Sequence, residues 1–224
     1  MNNKKLYVTI TGIENSDWQE KLAEIKEFKI TEAAVFLTRF DKKERDHLYK
    51  FLLKSNLKYI PLVHLRHDTD ASDIEFFNKN FGTNHFNIHE NAFQDLDRWG
   101  NNLNKLYLEL NYDGEIPKVV DLDKIGGFCL DLSHFKSAIA RGKEEATLVF
   151  KEKSKSKFAC NHLNGYNDLF QRDVHFVTDL RQFDYLKDLP EFVFGKIIAI
   201  EVDNCIEDQL NFKEYILDNN LISN

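Results

Sequence analysis

The sequence predicts an α/β fold: a (β/α)8 TIM barrel that forms a single domain over residues 1–224, with short βα loops. Three observations predict it. Short apolar, β-rich runs alternate with charged, helix-patterned segments, an order that favours a parallel sheet with right-handed crossovers. There are eight runs, and 224 residues allow about 28 per unit, room for a strand, a helix of roughly 10–12 residues and two short loops. The first strand-to-helix turn, Thr11-Gly12-Ile13-Glu14, lacks the Gly-rich phosphate loop expected of an open doubly wound sheet.

The eight runs are Leu6–Gly12, Ala33–Thr38, Tyr59–Leu65, His85–Glu90, Leu106–Leu110, Gly127–Asp131, Phe158–His162 and Ile197–Val202. Ser16 and Gln19 fit a capping box ahead of Trp18, Leu22, Ile25 and Phe28, which share one helical face. Asp41 and Glu44 fit another before Leu48, Phe51 and Leu52, and Ser72 and Glu75 a third before Phe76 and Phe77. Phe93, Leu96 and Leu103 suggest a fourth helix whose end Gly100 weakens, and Pro117 limits any helix in Asn111–Ile125 to about two turns. Phe135–Phe150 reads as one helix, Lys151–Lys157 as a solvated connector, and Phe212, Tyr215 and Ile216 mark the last helix.

Composition narrows the class. A hydrophobic fraction of 42% with 13% aromatics excludes a disordered or fibrous chain, and nine Gly with three Pro leave little for linkers. A net charge of −7 provides no general footprint for a nucleic acid backbone, although a local positive groove on an acidic protein is compatible with one. No apolar run reaches the roughly 20 residues of a membrane helix, so no membrane partner is expected. The start, Met1-Asn2-Asn3-Lys4-Lys5, has no apolar signal region, and Cys129, Cys160 and Cys205 are odd in number and widely spaced. Both point to reduced thiols and a cytoplasmic location.

Function in such barrels sits where strands end. Six strand ends carry a metal-capable side chain: His64, His89, Glu109, Asp131, His162 and Glu201. Counting back by two gives Leu62, Asn87, Tyr107, Cys129, Cys160 and Ala199, while the opposite parity holds Val63, Ile88, Leu108, Leu130, Ala159, Ile198 and Ile200. The second set suits a helix-covered exterior, so the first faces the lumen. His134 follows Asp131 by three residues, and Asp173 and His175 lie at i and i+2 after the seventh strand. Four carboxylates on one rim repel, by about 4 kcal/mol for a pair at 4 Å and an effective dielectric near 20. A cation among them resolves this, and a mixed His/Asp/Glu set suits Zn²⁺, Mn²⁺ or Fe²⁺.

Taken singly, a histidine is more often a satisfied structural residue than a ligand, and His47 and His85 read that way. His67 reads as a solvated loop residue, and Cys129 and Cys160 as small packing groups below the rim. Glu109 and Glu201 differ, because a carboxylate that ends an apolar strand is costly unless paired or metal-bound.

In this order the residues resemble the xylose isomerase-like TIM-barrel superfamily, which includes sugar isomerases and epimerases and the endonuclease IV type of apurinic-site nuclease (AP endonuclease family 2). The resemblance runs over essentially the whole chain. It rests on His64, on His89 in Asn87-Ile-His-Glu, on Glu109, on Asp131-Leu-Ser-His134, on Asn161-His162-Leu-Asn-Gly165, where Gly165 replaces the family's Asp, on Asp173-Val-His175 and on Glu201. It implies a core metal site of Glu109, Asp131, His162 and Glu201. His64, His89, His134, Asp173 and His175 would complete a second and third metal, giving one to three Zn or Mn ions.

The leading expectation is an isomerase or epimerase of a small sugar or sugar phosphate, with Glu109 and Glu201 as the acid/base pair and His134 and Arg66 holding substrate oxygens. The alternative is a metal-dependent phosphodiesterase acting on abasic or damaged DNA. Against it, the loops at Ile13–Asp17 and Arg39–Glu44 are short for entering a groove, and the basic cluster of Arg39, Lys42, Lys43 and Arg45 equally suits a solvated helix start. A third reading is a non-catalytic barrel that retains the site.

Overall fold

The computed structural model describes residues 4–11, 17–155 and 157–222. Nine strands form one parallel sheet: β1 (Lys5–Tyr7), β2 (Thr9–Thr11), β3 (Ala34–Phe36), β4 (Val63–His64), β5 (Phe86–His89), β6 (Leu106–Glu109), β7 (Gly127–Asp131), β8 (Phe158–Leu163) and, after a separate hairpin, β11 (Ile197–Ile200). Their order is β1-β11-β8-β7-β6-β5-β4-β3-β2. β1 pairs with β11 and β2 with β3, and only Val8 separates β1 from β2. The two ends of the sheet are thus consecutive pieces of one run, and the sheet curls into a nearly closed barrel. β9 (Gly165–Asn167) and β10 (Arg172–Val174) form the antiparallel hairpin.

Parity sorts the side chains into two layers, as strand geometry requires. Tyr7, Ala34, Phe36, Leu62, Tyr107, Cys129, Cys160, Ile197 and Ala199 pack inside. Val63, Ile88, Leu108, Leu130, Ile198 and Ile200 join the outer layer, where the helices cover them. Ala159, expected outside, packs against the inner cluster. The pairing slips between Phe128 and Cys129, so that Phe128 faces Phe158 and Cys129 faces Cys160; the extra residue of this bulge is Ala159.

The helices are α1 (Trp18–Glu27), α2 (Lys42–Leu52), α3 (Ala71–Phe81), α4 (Leu132–Ala140), α5 (Glu144–Glu152) and α6 (Ile206–Asp218). Asp17 caps α1 by accepting from the Gln19 amide at 2.8 Å; the expected cap, Ser16, lies outside the described residues. The Asp41/Glu44 box caps α2 as expected. For α3 the box is Asp70/Asp73 and not Ser72/Glu75, because the Asp70 carboxylate takes both the amide and the hydroxyl of Ser72.

The single helix expected over Phe135–Phe150 is two, broken at Gly142 (φ 62°). The fourth helix is instead a run of 310 turns over Glu90–Lys105, interrupted at Asp95 and at Gly100 (φ 55°). Phe93, Leu96 and Trp99 bury every third residue there, the repeat of a 310 turn rather than of an α-helix. Asn111–Ile125 holds a single 310 turn, Leu122–Lys124. Two further 310 stretches, Leu180–Asp188 and Glu191–Val193, precede β11.

The short-loop expectation holds after β3, where α2 starts at Lys42, and Ile13–Ser16 lies outside the described residues. It fails after β8, where the chain builds the β9–β10 hairpin before returning to the barrel wall. Cys129 and Cys160 are buried, and Cys205 is exposed at the start of α6. No helix of the described residues is long and apolar enough to cross a membrane.

Candidate metal centre

The inner parity ends in polar groups at one rim. Leu62, Tyr107, Cys129, Cys160 and Ala199 plug the barrel below, and the residue two further on in each strand is His64, Glu109, Asp131, His162 or Glu201. All five are buried. Ligand atoms of Glu109, Asp131, His162 and Glu201 lie within 4.8 Å of one another, as do those of His64, Glu109 and His162. The two groups share Glu109 and His162.

Glu109 Oε2 is the hub. It lies 3.0 Å from His64 Nε2, 3.2 Å from His162 Nδ1 and 4.0 Å from His89 Nε2, and accepts from Asn87 Nδ2 at 2.7 Å. His162 Nδ1 is also 3.2 Å from Glu201 Oε2, and His162 Nε2 faces Asn87 Oδ1 at 3.2 Å. Asp131 is held from three sides: Ser133 Oγ and the His134 amide donate to Oδ1, and Asn164 Nδ2 donates to Oδ2, each at 2.8 Å.

The remaining residues converge on Asp173. Its Oδ2 lies 2.8 Å from His175 Nε2 and 4.0 Å from His134 Nε2, and its Oδ1 accepts from the Tyr112 hydroxyl at 2.6 Å. His134 Nε2 is 3.7 Å from Asp131 Oδ2 and its Nδ1 is 4.0 Å from Glu109 Oε1, which joins this third group to the other two. Gly165, where the resemblance expects an Asp, has little room for a side chain, since a Cβ there would lie 2.9 Å from Val177 Cγ2.

The imidazoles are oriented as ligands. His64, His134 and His175 each turn Nδ1 to a backbone carbonyl, of Leu65 (3.0 Å), Leu110 (3.4 Å) and Glu201 (3.4 Å). Each of these contacts aims Nε2 at the carboxylates, the outer arrangement that metal-bound histidines use. Lone pairs facing carboxylate oxygens repel unless a proton or a cation lies between them. His162 Nδ1, fully buried between two carboxylates, makes no aligned hydrogen bond to either, and His89 Nδ1 is buried without a partner. The donor set therefore fits a divalent transition metal.

Electrostatics agree. Burial pushes the Glu109 carboxyl up, but His162, His89 and His64 outweigh it and hold the group well below its ordinary range. Glu201 is lowered in the same way by His162, whereas burial prevails at Asp131 and raises it. The two carboxylates overcome burial at His162 and raise it well above its usual value. The hydrogen bond to Asp173 likewise overcomes burial at His175, which rises to about 10.

All nine sequence-predicted ligands thus meet at one rim. Asn87, Tyr112, Ser133 and Asn164, which hold those ligands, were not singled out for that role. Asn87 and Asn164 share strand parity with His89 and His162, which is a usable signal; Tyr112 has none. Arg66 is half-buried and paired with Asp68 at 2.7 Å. His85 stacks on Tyr107 and His47 packs against Trp18 and Phe51, both structural as expected. A cavity of about 590 Å³ beside Pro117 and Leu148 is lined by none of the nine.

No known protein family and no curated protein matches the sequence. Among solved structures the chain is similar to the "Crystal structure of an uncharacterized B. cereus protein", at 12% identity and a TM-score of 0.47, covering 94% of this chain. It spans 64% of the length of that chain.

Proposed function

We propose that the chain is a multinuclear metal-dependent phosphoester hydrolase, a (β/α)8 barrel of the xylose isomerase-like superfamily from its endonuclease IV-type branch. One observation carries this reading: the donors do not stop at the four of a mononuclear site. His64 and His89 extend the cluster on one side of Glu109, and His134, Asp173 and His175 extend it beyond Asp131. Adjoining donor sets that share a carboxylate are how two-metal phosphatases and nucleases are built. A mononuclear site needs only the central four.

Divalent cations held there would supply Lewis-acid neutralisation of phosphate charge and acidify a water. The chain's own groups bind and orient. Glu109 stays ionised, fixed by Asn87, and serves the His64 side and the Asp131 side at once. Three donors lock the Asp131 carboxylate in one orientation, and the Tyr112 hydroxyl occupies one oxygen of Asp173 and so aims the other at His175 and His134. The inner cluster closes the floor against water from below.

Zinc-supplemented protein is expected to cleave bis(p-nitrophenyl) phosphate and an abasic-site oligonucleotide. A chelator should abolish both activities, and Glu201→Gln should lower them at least 100-fold. No cleavage of either substrate would overturn the reading. A sugar or sugar-phosphate isomerase remains the second reading, favoured by Glu109 and Glu201, each 3.2 Å from His162 Nδ1 and so near enough to each other to serve one substrate as acid and base. Incorporation of solvent deuterium into a ketose, without phosphoester cleavage, would decide for it.

A further inference from the structure

Beside the cluster lies a cavity of about 230 Å³ between the loop after β4 and the 310 run after β5. His89, one of the candidate ligands, forms part of its wall, so the cavity adjoins the His64/His89 side of the centre. Leu65, Ile88 and Trp99 supply its apolar lining, and Arg66 and Arg98 its cations. The volume is below the roughly 300 Å³ at which whole small-molecule sites begin, so the cavity takes one portion of a larger substrate.

Its hydrogen-bonding capacity is unspent. The Arg98 guanidinium lies 4.0 Å over the Trp99 ring and donates to the His67 carbonyl, but its Nε is buried without a partner. Trp99 is fully buried, and its Nε1–H also has none. Arg66 donates to Asp68 Oδ2 at 2.7 Å, but Arg45 takes Oδ1 of the same carboxylate at 2.7 Å. One carboxylate thus serves both Arg45 and Arg66, and Asp73 lies 3.7 Å from Arg45 Nε.

We propose that this cavity is an anion subsite that holds a phosphate group of the substrate other than the one being cleaved, gripped by Arg66 and Arg98, with the attached sugar against Leu65, Ile88 and Trp99. Guanidinium forks match phosphate oxygens in pairs, which ammonium groups do not. The subsite rests on the hydrolase reading for its place in a reaction but not for its ligand, so the two can fail separately.

The test is calorimetric titration of the full chain, as purified, with ribose 5-phosphate and with ribose. The phosphate ester should bind at least 10-fold more tightly than the neutral sugar. Arg66→Gln, which leaves the Arg45–Asp68 pair in place, should erase that margin. Arg98→Lys, which keeps the charge but loses the fork, should cut it severalfold. Glu201→Gln, in the metal cluster, should preserve it. The proposal is overturned if wild type shows no margin, if both arginine variants keep it, or if Glu201→Gln alone removes it, since the phosphate then binds at the metal cluster. Failure of the hydrolase reading would appear differently, as absent zinc-dependent cleavage of bis(p-nitrophenyl) phosphate with the margin intact.

Discussion

Asn87 serves two members of the centre at once, donating to Glu109 and facing His162 with its carbonyl oxygen. Replacing it with Leu leaves both ligands in place but unfixed. Outer partners of this kind are worth about 10–100-fold in metal affinity, so Asn87→Leu should weaken zinc binding by that factor in a competition titration with a chromogenic chelator. An unchanged affinity would mean that the ligands are held by packing alone. The ligands themselves were legible because each ends an apolar strand on the lumen parity, where a charged group needs a reason. Their holders were less so. Tyr112 sits in a loop with no period, and its bond to Asp173 spans 61 residues of sequence. Only folding brings the two together.

At the scale of elements, strands and caps were readable to the extent that chemistry is local. The Asp41/Glu44 box follows from side chains three residues apart, whereas choosing Asp70 over Ser72 turns on a competition between two adjacent acceptors. The 310 run resembles an α-helix in sequence because Phe93 and Leu96 are three residues apart, a spacing that both kinds of helix place on one face. Two glycines test the backbone argument. Gly127 has φ 132°, and a Cβ there would sit 2.3 Å from the Lys157 carbonyl, so Gly127→Ala should cost at least about 2 kcal/mol in urea unfolding. Gly142, at φ 62° with open space around it, should cost only about 1 kcal/mol on the same change.

Lys21 of α1 makes a third test. Its side chain is buried, donates to Thr11 Oγ1 and to the Val202 carbonyl, and burial lowers its pKa to about 8. Between pH 8 and 10.5 the unfolded chain binds more protons there than the folded one. Stability from this group therefore rises with pH across that window, by at most about 3 kcal/mol. Lys21→Met should flatten the rise; a parallel pH profile would show that the folded group keeps its proton.

For the whole molecule, the near-closure of the sheet at Val8 curves the rim around on itself, and that curvature gathers three carboxylates and two imidazoles within reach of one another. A cation held there would compensate the carboxylates and raise the stability of the fold. Zinc at 100 times its dissociation constant should add about 2.7 kcal/mol, a rise of roughly 5–10 °C in Tm for a chain of this size, and Glu109→Gln should abolish most of it. The fold was largely visible in the alternation of runs, but which chemistry the rim performs was not, because sites and not barrels set chemistry.

The most direct test is elemental analysis of the zinc-saturated chain after gel filtration. The account predicts two to three metal atoms per chain in wild type and at most one in Glu109→Gln, whose carboxylate the adjoining sites share. A wild-type chain that retains no metal, or a variant that retains the full complement, would contradict it.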